Sequence, residues 1–332
     1  MQTRILFAAL GFGLAAWSQS LLVLNKGDNT LAIVDPVTFA VKGRAPSGPD
    51  PHEVEASEDG RTAYITNYQR GNGLPNTISV VDVAAGKALA PIDLGALTQP
   101  HGLHFAGGKL FFSAEGAKAI GRYNPASRKI DWVMGTGQDR THMVIAAPDL
   151  KRLFTTNVTA ASVSIIEEVE RKVGPPPGRT ARDWTVTNVA VGEGAEGFDL
   201  TPDGRQLWVA NARAGSVSII DVASKKTIAT IPVPFRAANR LKFTLDGKLA
   251  LISDLGGDQI YVVDAATRKL VKSIPAGGGQ AGILMDPSGG RAFVSVGRLN
   301  SVAVVDLKTL AITGRVEAGP GPDGLAWAPA VK

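Results

Sequence analysis

Short apolar runs dominate the chain, and within most of them β-branched residues alternate with polar ones. Gly-containing dipeptides such as Asp59-Gly60 and Asp203-Gly204 separate neighbouring runs. These dipeptides favour hairpin turns because Gly, Asn and Asp tolerate positive φ. Strict alternation is the period of a half-buried strand, and no segment after the first twenty residues shows a helical period. The pattern therefore predicts an all-β fold.

One type of strand recurs along the chain and reads Val-Ser-Ile-Ile-Asp or close to it. Its copies end at Asp35, Asp82, Asn124, Glu167, Asp221, Asp264 and Asp306. The spacing is 42 or 43 residues, except for two longer intervals of 47 and 54. This period is typical of four-stranded propeller blades.

The two ends of the chain complement each other. Pro322–Trp327 resembles the first strand of a repeat with nothing after it, whereas Leu21–Asn25 resembles a second strand. We expect the C-terminal strand to complete the N-terminal blade, because closing the ring leaves no free sheet edge. The prediction is a seven-bladed β-propeller, with four antiparallel strands per blade, as one domain over residues 21–332.

Several second strands carry a family signature. They resemble the Tyr-Val-Thr-Asn motif of the YVTN repeat family at Ala63–Asn67, Leu153–Asn157 and Leu207–Asn211. The resemblance covers nearly all of the chain after residue 20. It implies a propeller similar to lactonases, surface-layer proteins and periplasmic binding proteins, and it leaves the activity open.

The N-terminus predicts export. Met1–Arg4 is a short positive region, Ile5–Ala16 is an apolar run, and small residues follow. This is the pattern of a signal peptide over residues 1–20, cleaved near Ser18 or Ser20, although an uncleaved anchor is the alternative. We therefore expect a periplasmic or secreted protein with no membrane span after cleavage.

Composition narrows the chemistry. The chain has no cysteine, which excludes disulfides, thiol nucleophiles and Cys-ligated metals. Its net charge of +5 is spread in alternating signs, and aromatic residues make up only 6%. Nucleic acid is therefore an unlikely partner, because a binding track needs clustered charge and stacking platforms.

Aligning the seven first strands on their turns gives one residue per blade at the rim of the central channel. These residues are Asp323, His52, His101, His142, Glu196, Asn239 and Ala281. Three of the four histidines thus occupy the same position in three successive blades. We predict that they meet at the channel mouth as ligands of a divalent transition metal, because imidazole suits zinc, copper, iron and nickel. The alternative is that they are polar lining.

Two carboxylates flank these histidines. Glu196 and Asp323 are the candidate catalytic residues, as a general base or a fourth metal ligand. The candidate ligand-binding residues are Asn239, Arg240, Glu115 and Asp254, the last two because they break a series of Asn at the ends of second strands. Arg298 also lies near this face. His104 is expected to pack between blades.

Two insertions complete the picture. Gln69–Asn76 is expected to form a loop on the histidine face, and Glu168–Trp184 a loop on the opposite face. The first hypothesis is a lactonase-like metal-assisted hydrolase or lyase acting on a small molecule. The second is a non-catalytic binding propeller for a small-molecule or cell-envelope ligand. A monomer is expected in both cases.

Overall fold

A computed structural model describes residues 19–68 and 74–330. Seven four-stranded antiparallel sheets account for nearly all of this part of the chain. Blade 1 consists of the last strand of the chain followed by its first three strands, and blades 2 to 7 each take the next four strands in chain order. The predicted seven-bladed all-β propeller is confirmed.

The first strand of each blade contacts the first strands of the two neighbouring blades, so these strands form the closed inner ring. They are β28 (Pro322–Ala328), β4 (Pro51–Ala56), β8 (Pro100–Ala106), β12 (Thr141–Ala146), β16 (Ala195–Leu200), β20 (Ala238–Phe243) and β24 (Gln280–Met285). The second strands are β1 (Ser20–Asn25), β5 (Thr62–Asn67), β9 (Lys109–Ala114), β13 (Arg152–Asn157), β17 (Gln206–Asn211), β21 (Leu249–Asp254) and β25 (Arg291–Val296).

The outer half of each blade holds the recurring strand and the edge strand. The third strands are β2 (Thr30–Val34), β6 (Thr77–Asp82), β10 (Ala119–Asn124), β14 (Ser162–Val173), β18 (Ser216–Asp221), β22 (Gln259–Asp264) and β26 (Ser301–Asp306). The edge strands are β3 (Val41–Pro46), β7 (Lys87–Asp93), β11 (Lys129–Gly135), β15 (Arg179–Ala190), β19 (Lys226–Pro232), β23 (Lys269–Pro275) and β27 (Ala311–Val316).

The core lies between neighbouring blades. The middle strands of each blade are buried on both faces, whereas the edge strands alternate between exposed and partly buried residues. Apolar clusters therefore join adjacent sheets, as where Trp208 of β17 packs edge-on against Phe243 of β20 with ring centroids 5.3 Å apart. Burial of this kind is the main stabilising term of the fold.

The ring closes as expected from the sequence. Strand β28 pairs antiparallel with β1, with Leu22 opposite Ala326 and Ser20 opposite Ala328. The propeller thus begins at Ser20, at the end of the predicted leader. Residues 1–18 of the predicted 1–20 leader lie outside the described residues, as do residues 69–73 of the predicted Gln69–Asn76 loop.

One expected loop is a pair of strands. Residues Glu168–Trp184 were expected to form a loop, but β14 and β15 continue through them as a hairpin, paired as far as Val173 and Arg179. The prediction was wrong because the segment keeps the alternation of a strand on both sides of its Pro-rich turn. Within the described ranges, no helix is long and apolar enough to cross a membrane.

Candidate functional site

The three rim histidines lie side by side at the channel mouth. The ring centroids of His52 and His101 are 4.9 Å apart, and those of His101 and His142 are 3.7 Å apart. Tyr68 packs edge-on against His52 and His101, with centroid distances of 4.6 and 4.9 Å. The structure therefore brings together the residues that the alignment of first strands placed at one position.

A repeated hydroxyl holds the rim in place. The side chain of Thr66 donates to the backbone carbonyl of His101 at 2.9 Å, and Thr156 donates in the same way to Glu196 at 2.8 Å. Equivalent bonds from the second strand of one blade to the rim residue of the next are made by Ser113, Ser253 and Ser295. This role was not predicted from the sequence, although a Ser or Thr recurs at this position along the chain.

The residue after the rim position is often glycine, because neighbouring blades approach closely there. A Cβ at Gly102 would lie 2.6 Å from the carbonyl oxygen of His142, and one at Gly197 would lie 2.4 Å from that of Asn239. Real Cβ atoms do not come so near to backbone oxygens. The glycines therefore allow the inner ring to be tight enough for the rim side chains to meet.

His142 lies between two carboxylates. Its Nδ1 contacts Glu115, and its Nε2 is 2.6 Å from Oε2 of Glu196. Tyr68 donates its hydroxyl hydrogen to the other oxygen of Glu115. Arg140 lies 3.5 Å from Glu115 and 3.8 Å from Glu196. The result is a buried chain of alternating charges across blades 3, 4 and 5.

The protonation states follow from this arrangement. Burial by itself would lower the pKa of His142, but the charge of Glu196 and the bond to Glu115 outweigh it and raise that pKa above 6.5. Burial would raise the pKa of Glu196, but the charge of His142 lowers it to about 2. His142 is thus an imidazolium held by ionised partners.

His101 has the opposite state. Burial, together with the charges of His142 and His52, lowers its pKa well below 6.5. The ring is therefore neutral, and its Nδ1 is buried with no hydrogen-bond partner among the described residues. A buried nitrogen without a partner is uncommon in a folded protein.

A second group of charges surrounds His52. Lys26 Nζ lies 2.7 Å from His52 Nε2, 3.4 Å from Asp50 and 3.4 Å from Asp323. The bond from His52 is the main cause that lowers the pKa of Asp50 to about 2, against the effect of burial. Asp323, a candidate catalytic residue, is thus already engaged by a cation.

Arg240 lies in the channel, below the rim histidines. It was predicted as a ligand-binding residue, and it lines the channel mouth while it is buried and paired with Glu53 of blade 2. Because Arg240 belongs to blade 6, this ion pair spans the channel below the rim. Its Nε and the side-chain oxygen of the neighbouring Asn239 are buried without partners in the part of the chain that the structure describes.

Asp254 takes no part in the site. Its carboxylate accepts hydrogen bonds from the backbone N–H groups of Arg236, Ala237 and Gly256 at 2.8, 2.8 and 3.1 Å. The ligand contact predicted for Asp254 is therefore replaced by a turn-stabilising role. Glu115 reaches the site only through His142, Tyr68 and Arg140.

A cavity of about 440 Å³ opens at the channel mouth. Its wall on blades 2 to 5 is formed by the histidine cluster, Arg140 and Glu196. Its wall on blades 6, 7 and 1 combines small or apolar residues with polar ones. The small or apolar residues include Leu255, Gly279, Ala281 and Pro322, and the polar ones include Lys26, Asn239, Arg240 and Asp323. The rim position of blade 7 carries only a methyl group, so the ring of polar side chains has a gap there.

Arg298 stands at this gap. It follows β25 in a short 3₁₀ turn (Gly297–Leu299) and lines the cavity. Lys26, Arg140 and Arg240 each have a carboxylate within 4.0 Å, whereas Arg298 has no ion pair within the described residues. Its guanidinium is thus available to an anionic group.

Comparison with known families decides where the chain belongs. The model of the cytochrome D1 heme domain matches residues 75–297, which is more than half of the 332 residues. The chain belongs to the cytochrome D1 heme domain family. The YVTN relationship stays a prediction. A search of curated proteins finds no match to the sequence.

Solved propellers are similar in fold at low identity. A functionally unknown protein from Desulfotomaculum acetoxidans has a TM-score of 0.74 and 12% identity, over 94% of this chain and 99% of that one. A "putative 6-phosphogluconolactonase" from Bacteroides uniformis has a TM-score of 0.71 and 14% identity, over 93% and 99%. Dihydro-heme d1 dehydrogenase NirN, in complex with DHE, has a TM-score of 0.63 and 18% identity, over 91% and 64%.

The predicted metal set remains a prediction in this family member. His52, His101 and His142 do converge, but the described residues contain no group of three His, Asp or Glu placed to hold a metal ion. The imidazole of His142 is occupied on both nitrogens by carboxylates. The prediction is tested by measuring bound metal in the wild type and in a His101→Ala variant, both purified without a His tag.

Below the Glu53–Arg240 pair lies a second tier of polar residues. Glu55 of blade 2 is 3.9 Å from His104 of blade 3, and Lys242 of blade 6 is 3.5 Å from Asp199 of blade 5. A register shift between Pro100 and Leu103 resets the alternation of β8, which puts His104 into this tier. Period-2 counting from His101 missed the shift.

Glu55 gives a pH-dependent prediction. Burial raises its pKa to about 8, so the folded protein keeps a proton that the unfolded chain loses above about 4.5. The free energy of unfolding should therefore fall as the pH rises from about 4.5 to about 8. A Glu55→Gln variant should escape this loss and exceed the wild type by about 1–3 kcal/mol at pH 8, a range reduced for the partial solvent access of the carboxylate.

Denaturant unfolding at several pH values measures the difference. The matched control is Glu317→Gln, at an exposed residue directly after the edge strand β27, and this variant should unfold like the wild type. A gain that is the same at pH 5 and pH 8 would contradict the assignment of a half-buried Glu55 that keeps its proton up to a pKa of about 8.

Proposed function

We propose that this protein binds a carboxylate-bearing small molecule in the cavity at the channel mouth, and that this molecule is a tetrapyrrole. The observation that carries the proposal is a cavity wall with buried polar atoms that lack partners. His101 Nδ1 and Arg240 Nε belong to residues that are only 3% and 5% exposed. Both residues line the cavity, so a ligand toward which their side chains turn gives these atoms a partner. A buried polar group left without a partner costs about 1–3 kcal/mol, and binding of this kind recovers that free energy.

The cavity also has the shape and charge for an amphipathic anion. Its volume of about 440 Å³ falls in the usual range of about 300–1,000 Å³ for small-molecule sites. Leu255, Ala281 and Pro322 provide an apolar surface on one side, and Arg298 provides a cation without a counter-ion at its edge. An apolar body with a peripheral carboxylate matches both features.

Family membership supports the tetrapyrrole in particular. The family is named for a heme-binding domain, and the NirN structure is a complex with DHE. The residues of this chain fit such a group: Arg298 would hold a carboxylate, and neutral His101 is an imidazole whose free nitrogen suits iron. A bound tetrapyrrole would supply light absorption and, with iron, redox chemistry. The Glu115–His142–Glu196 chain would hold a fixed positive charge beside it.

The proposal predicts that porphyrins bind and that the contributions of Arg298 and His101 to binding can be measured separately. Iron protoporphyrin IX and metal-free protoporphyrin IX should both bind, as measured by absorbance and fluorescence titration. Arg298→Gln should weaken both about tenfold or more, because a charge-assisted hydrogen bond is lost. His101→Ala should change the absorbance spectrum of the iron porphyrin complex and leave the affinity for the metal-free porphyrin nearly unchanged.

Arg205→Gln is the control, since Arg205 lies in an exposed turn outside the cavity. If neither porphyrin binds, the tetrapyrrole assignment is overturned. Binding that is equally strong in the Arg298→Gln and Arg205→Gln variants overturns the placement of the carboxylate. Export to the periplasm or cell exterior remains a separate prediction, tested by the N-terminal sequence of the mature protein.

A further inference from the structure

The hairpin of blade 4 is the largest departure from the repeat. Its strands β14 and β15 have 12 residues each, whereas the third and fourth strands of the other blades have 5 to 7. The additional part, which we call the arm, comprises residues 168–173 and 179–184. Near its base, Trp184 packs against Trp132 of blade 3 with ring centroids 5.0 Å apart.

The arm has an open edge on its β14 side. Strand β13 begins at Arg152, which is opposite Glu167, and the N–H of Glu168 donates to Lys151 at 2.9 Å. Since backbone groups alternate in direction along a strand, those of Glu170 and Lys172 point to the same side as those of Glu168. No strand in the described structure covers them. A two-stranded ribbon is marginally stable alone, and an open edge is a template for another strand.

The side chains along this edge are complementary to themselves. Glu170 and Lys172 have no ion pair among the described residues, whereas Arg171 is 3.4 Å from Asp183 of the same arm. Val169 and Val173 lie on the opposite face from Glu170 and Lys172, because side chains alternate across a strand. When two strands of this sequence pair antiparallel, Glu170 can therefore face Lys172, and valine can face valine.

We propose that two copies of this chain pair through the β14 edges of their arms, around a two-fold axis at Arg171. Glu170 then lies opposite the partner's Lys172, and Val169 lies opposite the partner's Val173. Each pair occurs twice by symmetry, and the two arms form one four-stranded sheet. This proposal replaces the monomer expected from the sequence and does not depend on the proposed ligand.

The backbone restricts the register. In antiparallel pairing, a residue whose N–H points outward must lie opposite another such residue, so even-numbered residues oppose even-numbered ones. The two neighbouring registers with this property put Glu170 opposite the partner's Glu170 or Lys172 opposite the partner's Lys172. Like charges directly opposite each other are destabilising. The register centred on Arg171 replaces the unbalanced Glu170 or Lys172 pair by a pair of Arg171 residues on the axis, where Asp183, 3.4 Å from Arg171 in each copy, offsets the charge.

A single cysteine tests the register. The chain has no cysteine, so Arg171→Cys introduces one thiol per copy. At the two-fold axis the two residues form a non-hydrogen-bonded pair with Cα atoms about 4.5 Å apart, which permits a disulfide. Mild oxidation should convert Arg171→Cys into a covalent dimer. Val173→Cys is the control and should remain uncrosslinked, since it lies far from its copy across the axis.

Charge reversal tests the interaction in solution. Sedimentation analysis of the wild type over a range of concentrations should give a dimer, and Glu170→Lys should raise its dissociation constant about tenfold or more. The double variant with Glu170→Lys and Lys172→Glu should restore the dimer. A wild type that stays monomeric at every concentration overturns the proposal. Crosslinking at residue 173 but not at 171 overturns the register.

Discussion

The His142→Ala variant should lose about 3–5 kcal/mol of its free energy of unfolding at pH 6, the range typical of breaking a buried ion pair. His142 and Glu115 are almost fully buried, and Glu196 is nearly so. Removing the imidazolium leaves two carboxylates facing each other, with Arg140 as their nearest ion-pair partner at 3.5 and 3.8 Å. Guanidinium unfolding followed by tryptophan fluorescence measures the loss.

The pH dependence of this loss has a defined window. The raised pKa of His142 stabilises the fold fully below about 6.5, and this contribution disappears as the pH rises through the folded value. The lowered pKa of Glu196 stabilises the fold above about 4.5 and loses its effect as the pH falls toward about 2. The deficit of the variant should therefore be largest between about pH 4.5 and 6.5.

His104→Ala is the matched control, and its pH dependence should have the opposite sign. Burial lowers the pKa of His104 to about 4, so the wild type loses stability as the pH falls from 6.5. The alanine variant escapes this loss and should gain on the wild type in acid. If both variants lose the same free energy of unfolding at every pH, the assignment of a paired imidazolium at residue 142 is refuted.

The repeat made the fold predictable, because each blade shows the same alternation and turn chemistry. Seven strands ending in an acidic or amide residue, together with the matching chain ends, were enough to give blade number, strand order and closure. The convergence of His52, His101 and His142 followed from the same alignment. When repeats are related by a rotation, residues with the same position relative to the recurring turn lie at equivalent points around the axis.

The chemistry of the site was less predictable, because it depends on contacts between blades far apart in sequence. No local pattern indicates that Glu53 and Arg240, 187 residues apart, form one ion pair across the channel. The role of His142 depends on Glu115 and Glu196, which come from the blades on either side. His104 was misplaced because a bulge in β8 is invisible to period-2 counting. Asp254 was misread because an isolated acidic residue does not reveal its backbone partners.

Removing the last strand should abolish cooperative folding. A chain that ends at Gly321 lacks β28, which pairs with β1 and supplies Leu325, Ala326 and Ala328 to two apolar clusters. The ring would be open, and the first strand of blade 1 would be missing between blades 7 and 2. We expect a loss greater than about 5 kcal/mol, comparable with the whole stability of a typical domain. Circular dichroism during thermal unfolding measures it.

Two comparisons separate ring closure from a general effect of shortening the chain. Replacing residues 172–180 at the tip of the arm by an Asn-Gly turn shortens the chain by seven residues, against eleven in the truncated chain. At a protein concentration too low for the proposed dimer, the replacement should cost less than about 1 kcal/mol, because within one copy the arm packs only near its base. A peptide spanning residues 319–330, added to the truncated chain, should restore cooperative unfolding by pairing with the open edge of β1. A truncated chain that unfolds cooperatively at the wild-type midpoint would show that pairing of β28 with β1 contributes little to the stability of this propeller.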